Sequence, residues 1–151
     1  MGEFEAHMQN FFQEFGSGRH MVLSTSLHDH VTSRMMSVIQ MDGLFWFQTD
    51  RHFRKYRQLA ENPRVALCAD NIQIEGLCRE AGRPLDNAAF AALYRARFPS
   101  SFGRYTHLSG ELLFAVTPVY LERWLYRDGE PYLEQFLLDS RQYRLSPYCG
   151  G

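Results

Sequence analysis

The stretch Thr32-Ser33-Arg34-Met35-Met36-Ser37-Val38-Ile39-Gln40-Met41-Asp42-Gly43-Leu44-Phe45-Trp46-Phe47-Gln48-Thr49 decides the fold. Val31 to Gln40 has extended character. Asp42-Gly43 then supplies the two positive-φ residues that a tight hairpin turn requires. Leu44 to Thr49 is the return strand. Side chains alternate across a strand, so Leu44, Trp46 and Gln48 point one way and Phe45, Phe47 and Thr49 the other.

Upstream, Phe4, Met8, Phe11, Phe12 and Phe15 fall at helical spacing, with Gly16 as a C-terminal stop. Met21 to Ser26 suits a short strand, and His28-Asp29-His30 reads as a turn. Downstream the period changes: Phe53, Tyr56, Leu59 and Ala60 share one helical face, with Asp50 available as N-cap. Asn62-Pro63 ends that helix, because proline disfavours helix in the residue before it.

Val65 to Ala69 reads as a buried strand. In Ile72 to Cys78 the apolar Ile72 and Ile74 alternate with Gln73 and Glu75, so one face is wet or lines a site. Pro84 and Asp86 open a second helix burying Phe90, Leu93 and Tyr94, and Pro99 closes it. Gly103 to His107 reads as a loop. Leu112 to Val116 and Val119 to Arg127 return to strand, and Asp128-Gly129 is another turn. The segment through Leu137 fits helix or strand equally. About six strands with inserted helices, and no regular strand–helix alternation, favour a closed or nearly closed antiparallel barrel over a parallel sheet.

At 151 residues the chain suits one domain with a real apolar core. A net charge of −1 provides no global basic field for nucleic acid, so any anion site must be local. No apolar run reaches the length of a membrane helix. The acidic start, Met1-Gly2-Glu3-Phe4-Glu5, does not resemble a signal peptide. Three cysteines without a Cys-x-x-Cys argue against a zinc site or disulfide framework. A reducing cytoplasm is the expected setting. Cys68 and Cys78 read as small core residues and Cys149 as an exposed thiol.

One charge pattern needs an explanation. Arg51, His52, Arg54 and Lys55 gather at the start of the helix after Thr49. A helix N-terminus is itself partially positive, so each cation there costs roughly 0.3–1 kcal/mol at low ionic strength. A bound anion reverses that sign, receiving both backbone N–H groups and side-chain charge. Arg34 on the preceding strand would add a guanidinium. Read as a solvated surface run, the same residues need no ligand.

Taken in order, Thr32-Ser33-Arg34-Met35-Met36-Ser37, Asp42-Gly43, Phe45-Trp46-Phe47-Gln48-Thr49, Arg54-Lys55, Asn62-Pro63-Arg64-Val65-Ala66 and Glu75-Gly76 resemble the pyridoxamine 5'-phosphate oxidase-like FMN-binding family. The resemblance covers residues 20–80, and more weakly 109–127. It implies a mainly β fold: a six-stranded Greek-key split barrel that pairs as a homodimer, with FMN in clefts at the interface. It further implies that Arg34, Met35, Met36 and Ser37 form a cofactor-contacting strand. Arg34, Arg54 and Lys55 would grip the phosphate. Gln48 and Thr49 would contact the ring or ribityl region, with Gln73 and Trp124 as further flavin contacts. The implied function is an FMN-dependent oxidoreductase acting on an unidentified small molecule, with no side-chain acid or base assigned. Haem or a deazaflavin in the same barrel, or a non-catalytic binding role, are the alternatives.

The resemblance has gaps. The family's full-length oxidases carry an Arg-x-His near the C-terminus that helps hold the vitamin phosphate, and this sequence contains none. His28-Asp29-His30 stands where relatives often have Asp-Gly-x-Pro. Those two histidines and the aspartate would also be the first place to look for a metal, although an exposed turn of this kind seldom holds one. Arg123, Arg127, Tyr126 and Tyr132 fit either the edge of a substrate pocket or an ordinary strand face.

Overall fold

A computed structural model describes residues 2–150. Helix α1 (Glu3–Phe15) ends at Gly16, whose φ of 85° and N–H bond to the Phe12 carbonyl make the expected stop. Strands β1 (Gly18–Leu27), β2 (His30–Met41) and β3 (Leu44–Asp50) follow as a meander. Both connecting turns use consecutive positive-φ residues, His28 with Asp29 and Asp42 with Gly43. Helix α2 (Arg54–Glu61) leads to β4 (Arg64–Ala69) and β5 (Ile72–Glu80). After a 3₁₀ turn over Pro84–Asp86 come α3 (Ala88–Arg97), α4 (Pro99–Tyr105), β6 (Glu111–Arg127), β7 (Glu130–Leu137) and β8 (Gln142–Pro147).

The strand order is β3-β2-β1-β4-β5-β6-β7-β8, and a further β3–β6 pairing closes the first six into an antiparallel barrel. The fourth strand returns beside the first, which is Greek-key order. Eight strands form rather than six, because the segment through Leu137 becomes β7 and the residues after it add β8, a hairpin beyond the barrel. Strand β6 runs unbroken through Pro118. Its first half pairs with β3 and its second half with β7, while β5 spans both.

Four further readings are corrected. Asp50 does not cap α2; it ends β3, and the cap position is Phe53, with no side-chain bond to the helix. The helix read from Pro84 begins at Ala88, where Asn87 caps it by accepting from the Phe90 N–H. Gly103 to Tyr105 are helical, not loop, because Pro99 starts a new helix as it ends the old one. Cys68 is exposed on the sheet's outer face, whereas Cys78 is buried.

The barrel interior holds Met21, Leu23, Val38, Phe45, Phe47, Leu67, Ile74 and Phe114. Helix α1 adds Met8, Phe11 and Phe15 to that core, and α2 adds Leu59 near the opposite end of β1. Arg123 fastens α1 in place. Only 6% exposed, it donates from Nε to Glu134 Oε1 and from Nη1 to Glu14 Oε2, each at 2.5 Å. It is thus part of a buried ion-pair network, and with Tyr126 and Arg127 it also borders a shallow recess against α1. A second core lies outside the barrel, where Phe90, Tyr94 and Phe98 of the helical insert pack on Ile39, Trp46 and Leu113. Among the described residues no helix is long and apolar enough to cross a membrane.

Where β5 passes β6 the register slips at Glu75/Gly76, because Val119 is an extra residue. A Cβ on Gly76 would lie 2.5 Å from Val116 Cγ1 and 2.7 Å from the Thr117 carbonyl. Gly76→Ala therefore lowers unfolding stability by about 1–3 kcal/mol, read from the urea midpoint. Phe11→Ala empties a fully buried site and costs about 3–5 kcal/mol, with the urea m-value unchanged.

Candidate functional site

The barrel rim and the helical insert enclose a pocket of about 390 Å³. Its walls come from β2, the end of β3, the start of α2, helices α3 and α4, and the start of β6. Met35, Met36 and Ser37 line it from β2, Gln48 and Thr49 from β3, and Lys55 from α2. Six of the ten side chains singled out from the sequence thus meet in one cavity.

Alternation along β3 explains the placing of Gln48. Trp46 and Gln48 face the insert, while Phe45 and Phe47 face the barrel core. Gln48 is held by the Thr106 hydroxyl, which donates to its Oε1 at 2.9 Å. This fixes the amide and leaves its two N–H groups free to donate.

Arg34 lies behind the pocket and not in its wall. Its guanidinium donates to the Leu23 carbonyl, to Thr25 and Thr32 hydroxyls at 2.8 and 2.6 Å, and to Gln58 Oε1 at 3.3 Å. No carboxylate neutralises it among the described residues. Burial, and then the nearby Arg54, lower its pKa. Arg54 is exposed and opens onto a separate recess with His28, His30 and Arg57.

Lys55 is half-buried, and its pKa is lowered by desolvation first and by Arg34 second; Glu111 and Asp50 pull the other way. Its ammonium has no carboxylate within ion-pair distance among the described residues and sits 4.6 Å from the Phe53 ring centre.

Gln73 and Trp124 do not line the pocket. Gln73 is on β5, exposed beside Glu75. The register Met35–Val22–Cys68–Gln73 puts it on the same outer sheet face as Met35, three strands away. Three inter-strand spacings make roughly 14 Å. Trp124 is 38% exposed on the second half of β6, edge-on to Tyr148.

Several lining residues carried no signal in the sequence. Phe53, Tyr105 and Leu108 ring the mouth, each at least 40% exposed. Tyr94 and Ser101 face it from the insert, their hydroxyls 2.9 Å apart. Asp50 and Glu111 bring two carboxyls. Asp50 accepts the His52 backbone N–H at 2.7 Å, the main cause of its lowered pKa. Glu111 stands before an apolar run, where a charge reads as a solvated strand end. It is 5% exposed. The cavity can therefore take an anion at Lys55, a flat ring against Met35, Met36 and Phe53, and a proton at a carboxyl.

No family model matches the chain. In sequence it is 32% identical to a pyridoxine/pyridoxamine 5'-phosphate oxidase of Alkalilimnicola ehrlichii, in an alignment of 122 residues taking in 56% of this chain and 61% of that protein. The chain thus matches less than two thirds of that relative's length. In structure it is similar to a pyridoxamine 5'-phosphate oxidase-related, FMN-binding protein of Nostoc punctiforme, with TM-score 0.61 and 13% identity over 99% of this chain and 98% of that one. It is also similar to the haem storage protein HutZ of Vibrio cholerae, with TM-score 0.59 and 17% identity over 78% and 91%. At such identities the structural likeness speaks of the fold and not of the ligand. The β3–β6 closure, the Greek-key order and these likenesses agree: the chain has the split-barrel fold of the pyridoxamine 5'-phosphate oxidase-related proteins it resembles.

Proposed function

We propose that the chain is a homodimeric flavoprotein that binds FMN in this pocket and acts as an oxidoreductase on a small molecule. The observation that carries the reading is Lys55, a half-buried ammonium with no ion-pair partner among the described residues, placed at a rim that Arg34 also charges. A buried cation without a counter-ion is costly unless a ligand supplies one.

The residues present fit the group. Lys55 and the Thr49 hydroxyl suit a phosphate, and Arg54, which opens onto a separate recess, would have to turn to add its guanidinium. Met35, Met36 and Phe53 offer soft, flat walls, and Gln48 and Ser37 offer hydrogen bonds to ring heteroatoms. FMN, when bound, supplies the electron-transfer chemistry itself. The protein's share is to hold the phosphate, orient the ring and keep water from one of its faces with the α3–α4 insert.

The outer face of β2, β1, β4 and β5 supports the dimer reading. Small residues (Ser24, Ser33, Ala66) lie between exposed Val31, Met35 and Leu77, at 68%, 62% and 40% exposure. Arg64, Gln73 and Glu75 add exposed polar groups to the same face, and this mixture of apolar and polar side chains suits a two-fold partner. The pocket opens beside it at Met35. In this reading Gln73 and Trp124, which one protomer keeps out of its own pocket, serve the pocket of the other copy. The cytoplasm, inferred from the free cysteines, suits such a protein.

Purified protein should be yellow, with an oxidised-flavin spectrum; a Soret band instead would assign the pocket to haem. FMN should bind at least about tenfold more tightly than riboflavin, since a charge-assisted phosphate contact is worth about 1.5–3 kcal/mol. The Arg54→Ala, Lys55→Ala double variant should lose that preference, measured by quenching of flavin fluorescence. Equal affinity of the unaltered protein for both flavins would refute the phosphate assignment.

A further inference from the structure

Glu111 is the least expected group in the pocket. It opens β6 directly opposite Asp50 on β3, so the two carboxyls leave the same side of the sheet. It is buried, lines the cavity, and makes no side-chain hydrogen bond or ion pair among the described residues. Its surroundings are mixed in sign. Asp50 faces it from β3, with Arg51 and His52 just beyond. Lys55 faces it from α2, with Arg34 of β2 behind. From the insert come the phenols Tyr94 of α3 and Tyr105 of α4. Arg83, in the turn after β5, donates to the carbonyl of Leu108, another lining residue, at 3.0 Å.

Burial, and after it the Asp50 charge, push the Glu111 carboxyl up to about 7, against the pull of Lys55. Near neutrality the group is therefore divided between its two forms. An ionised Glu111 beside Asp50 would leave two carboxylates facing the anion that Lys55 is placed to bind. A neutral Glu111 removes one of them and gains an O–H that can donate to the ligand.

We propose that Glu111 is the proton-accepting group of this pocket: it takes one proton from solvent as a phosphate monoester binds and enters the complex as the neutral acid. Affinity for the anion is thereby tied to pH, and no other bond is made or broken. The inference rests on the reading that the pocket holds a phosphate ester.

The test uses FMN, with riboflavin as the phosphate-free control, between pH 7 and 9. The second ionisation of a phosphate monoester lies near about 6, so the ligand's charge is constant in that range. Unaltered protein should lose FMN affinity as pH rises, by up to about tenfold per unit, the limit for one linked proton. Glu111→Gln should stay within about twofold across the range, since it keeps the shape and cannot ionise. Riboflavin should show little pH dependence with either protein. Calorimetry at pH 8 in two buffers of different ionisation enthalpy counts the proton directly, without any variant. Uptake of about one proton per FMN supports the proposal, and uptake near zero overturns it. An equal slope in Glu111→Gln, which would put the titration on Lys55 or elsewhere, also overturns it. FMN binding with a flat pH profile removes this inference alone. Absence of FMN binding at every pH removes the phosphate reading and this inference with it.

Discussion

The backbone ladder between β3 and β6 is the constraint on which the rest of this molecule depends. Phe45 to Asp50 pair with Val116 to Glu111, and that pairing turns an open sheet into a closed six-stranded barrel. Closure satisfies the backbone N–H and C=O groups that two sheet edges would otherwise expose. It also packs Phe47 and Phe114 face to face in the interior, with ring centres 5.5 Å apart. The same ladder sets Asp50 opposite Glu111 and puts Gln48 and Thr49 at the rim. The pocket is a consequence of closure at one end of that ladder.

Burial then gives the pocket its chemistry. Lys55 and Arg34 have lowered pKa values and Glu111 a raised one, and in each case desolvation is the largest cause. All three shifts disfavour charge, as low-dielectric surroundings demand. Asp50 goes the other way because the His52 backbone N–H stabilises its ionised form. Gly110 lets that arrangement stand: a Cβ there would come within 2.7 Å of the Asp50 carboxylate. The insert α3–α4 completes the enclosure. Its apolar side fills the second core with Phe90, Tyr94 and Phe98, so that Ser101 and Tyr105 are held over the cavity by packing elsewhere.

The remaining elements hold the frame. The buried Arg123 joins Glu14 of α1 to Glu134 of β7, and the Tyr143 hydroxyl donates to the other oxygen of Glu134 at 2.6 Å. Removing one member of such a network would leave a buried charge uncompensated, at a cost of about 3–5 kcal/mol. The β7–β8 hairpin, outside the barrel, contributes Phe136 to the core and Tyr143 to this network. It is therefore integral to the way α1 is seated.

What could be read directly from the sequence was local. Asp42-Gly43 and Asp128-Gly129 made their turns because a positive-φ pair is a property of two neighbouring residues. The two faces of β3 and the buried stripe of α1 followed from periods of two and of 3.6 residues. The convergence of Met35, Met36, Ser37, Gln48, Thr49 and Lys55 was foreshadowed by the order of motifs in residues 20–80. Tertiary structure alone decided the roles of Asp50 and Glu111. They are 61 positions apart in sequence (111 − 50), and only barrel closure makes them neighbours. It also decided that Arg34 bonds Thr25, Thr32 and Gln58 behind the pocket, that Arg54 opens onto a separate recess, and that Gln73 and Trp124 lie elsewhere on the protomer. Sequence periodicity records which side of its own element a residue faces. Which groups lose their water together depends on contacts between distant elements, and those exist only once the chain has closed.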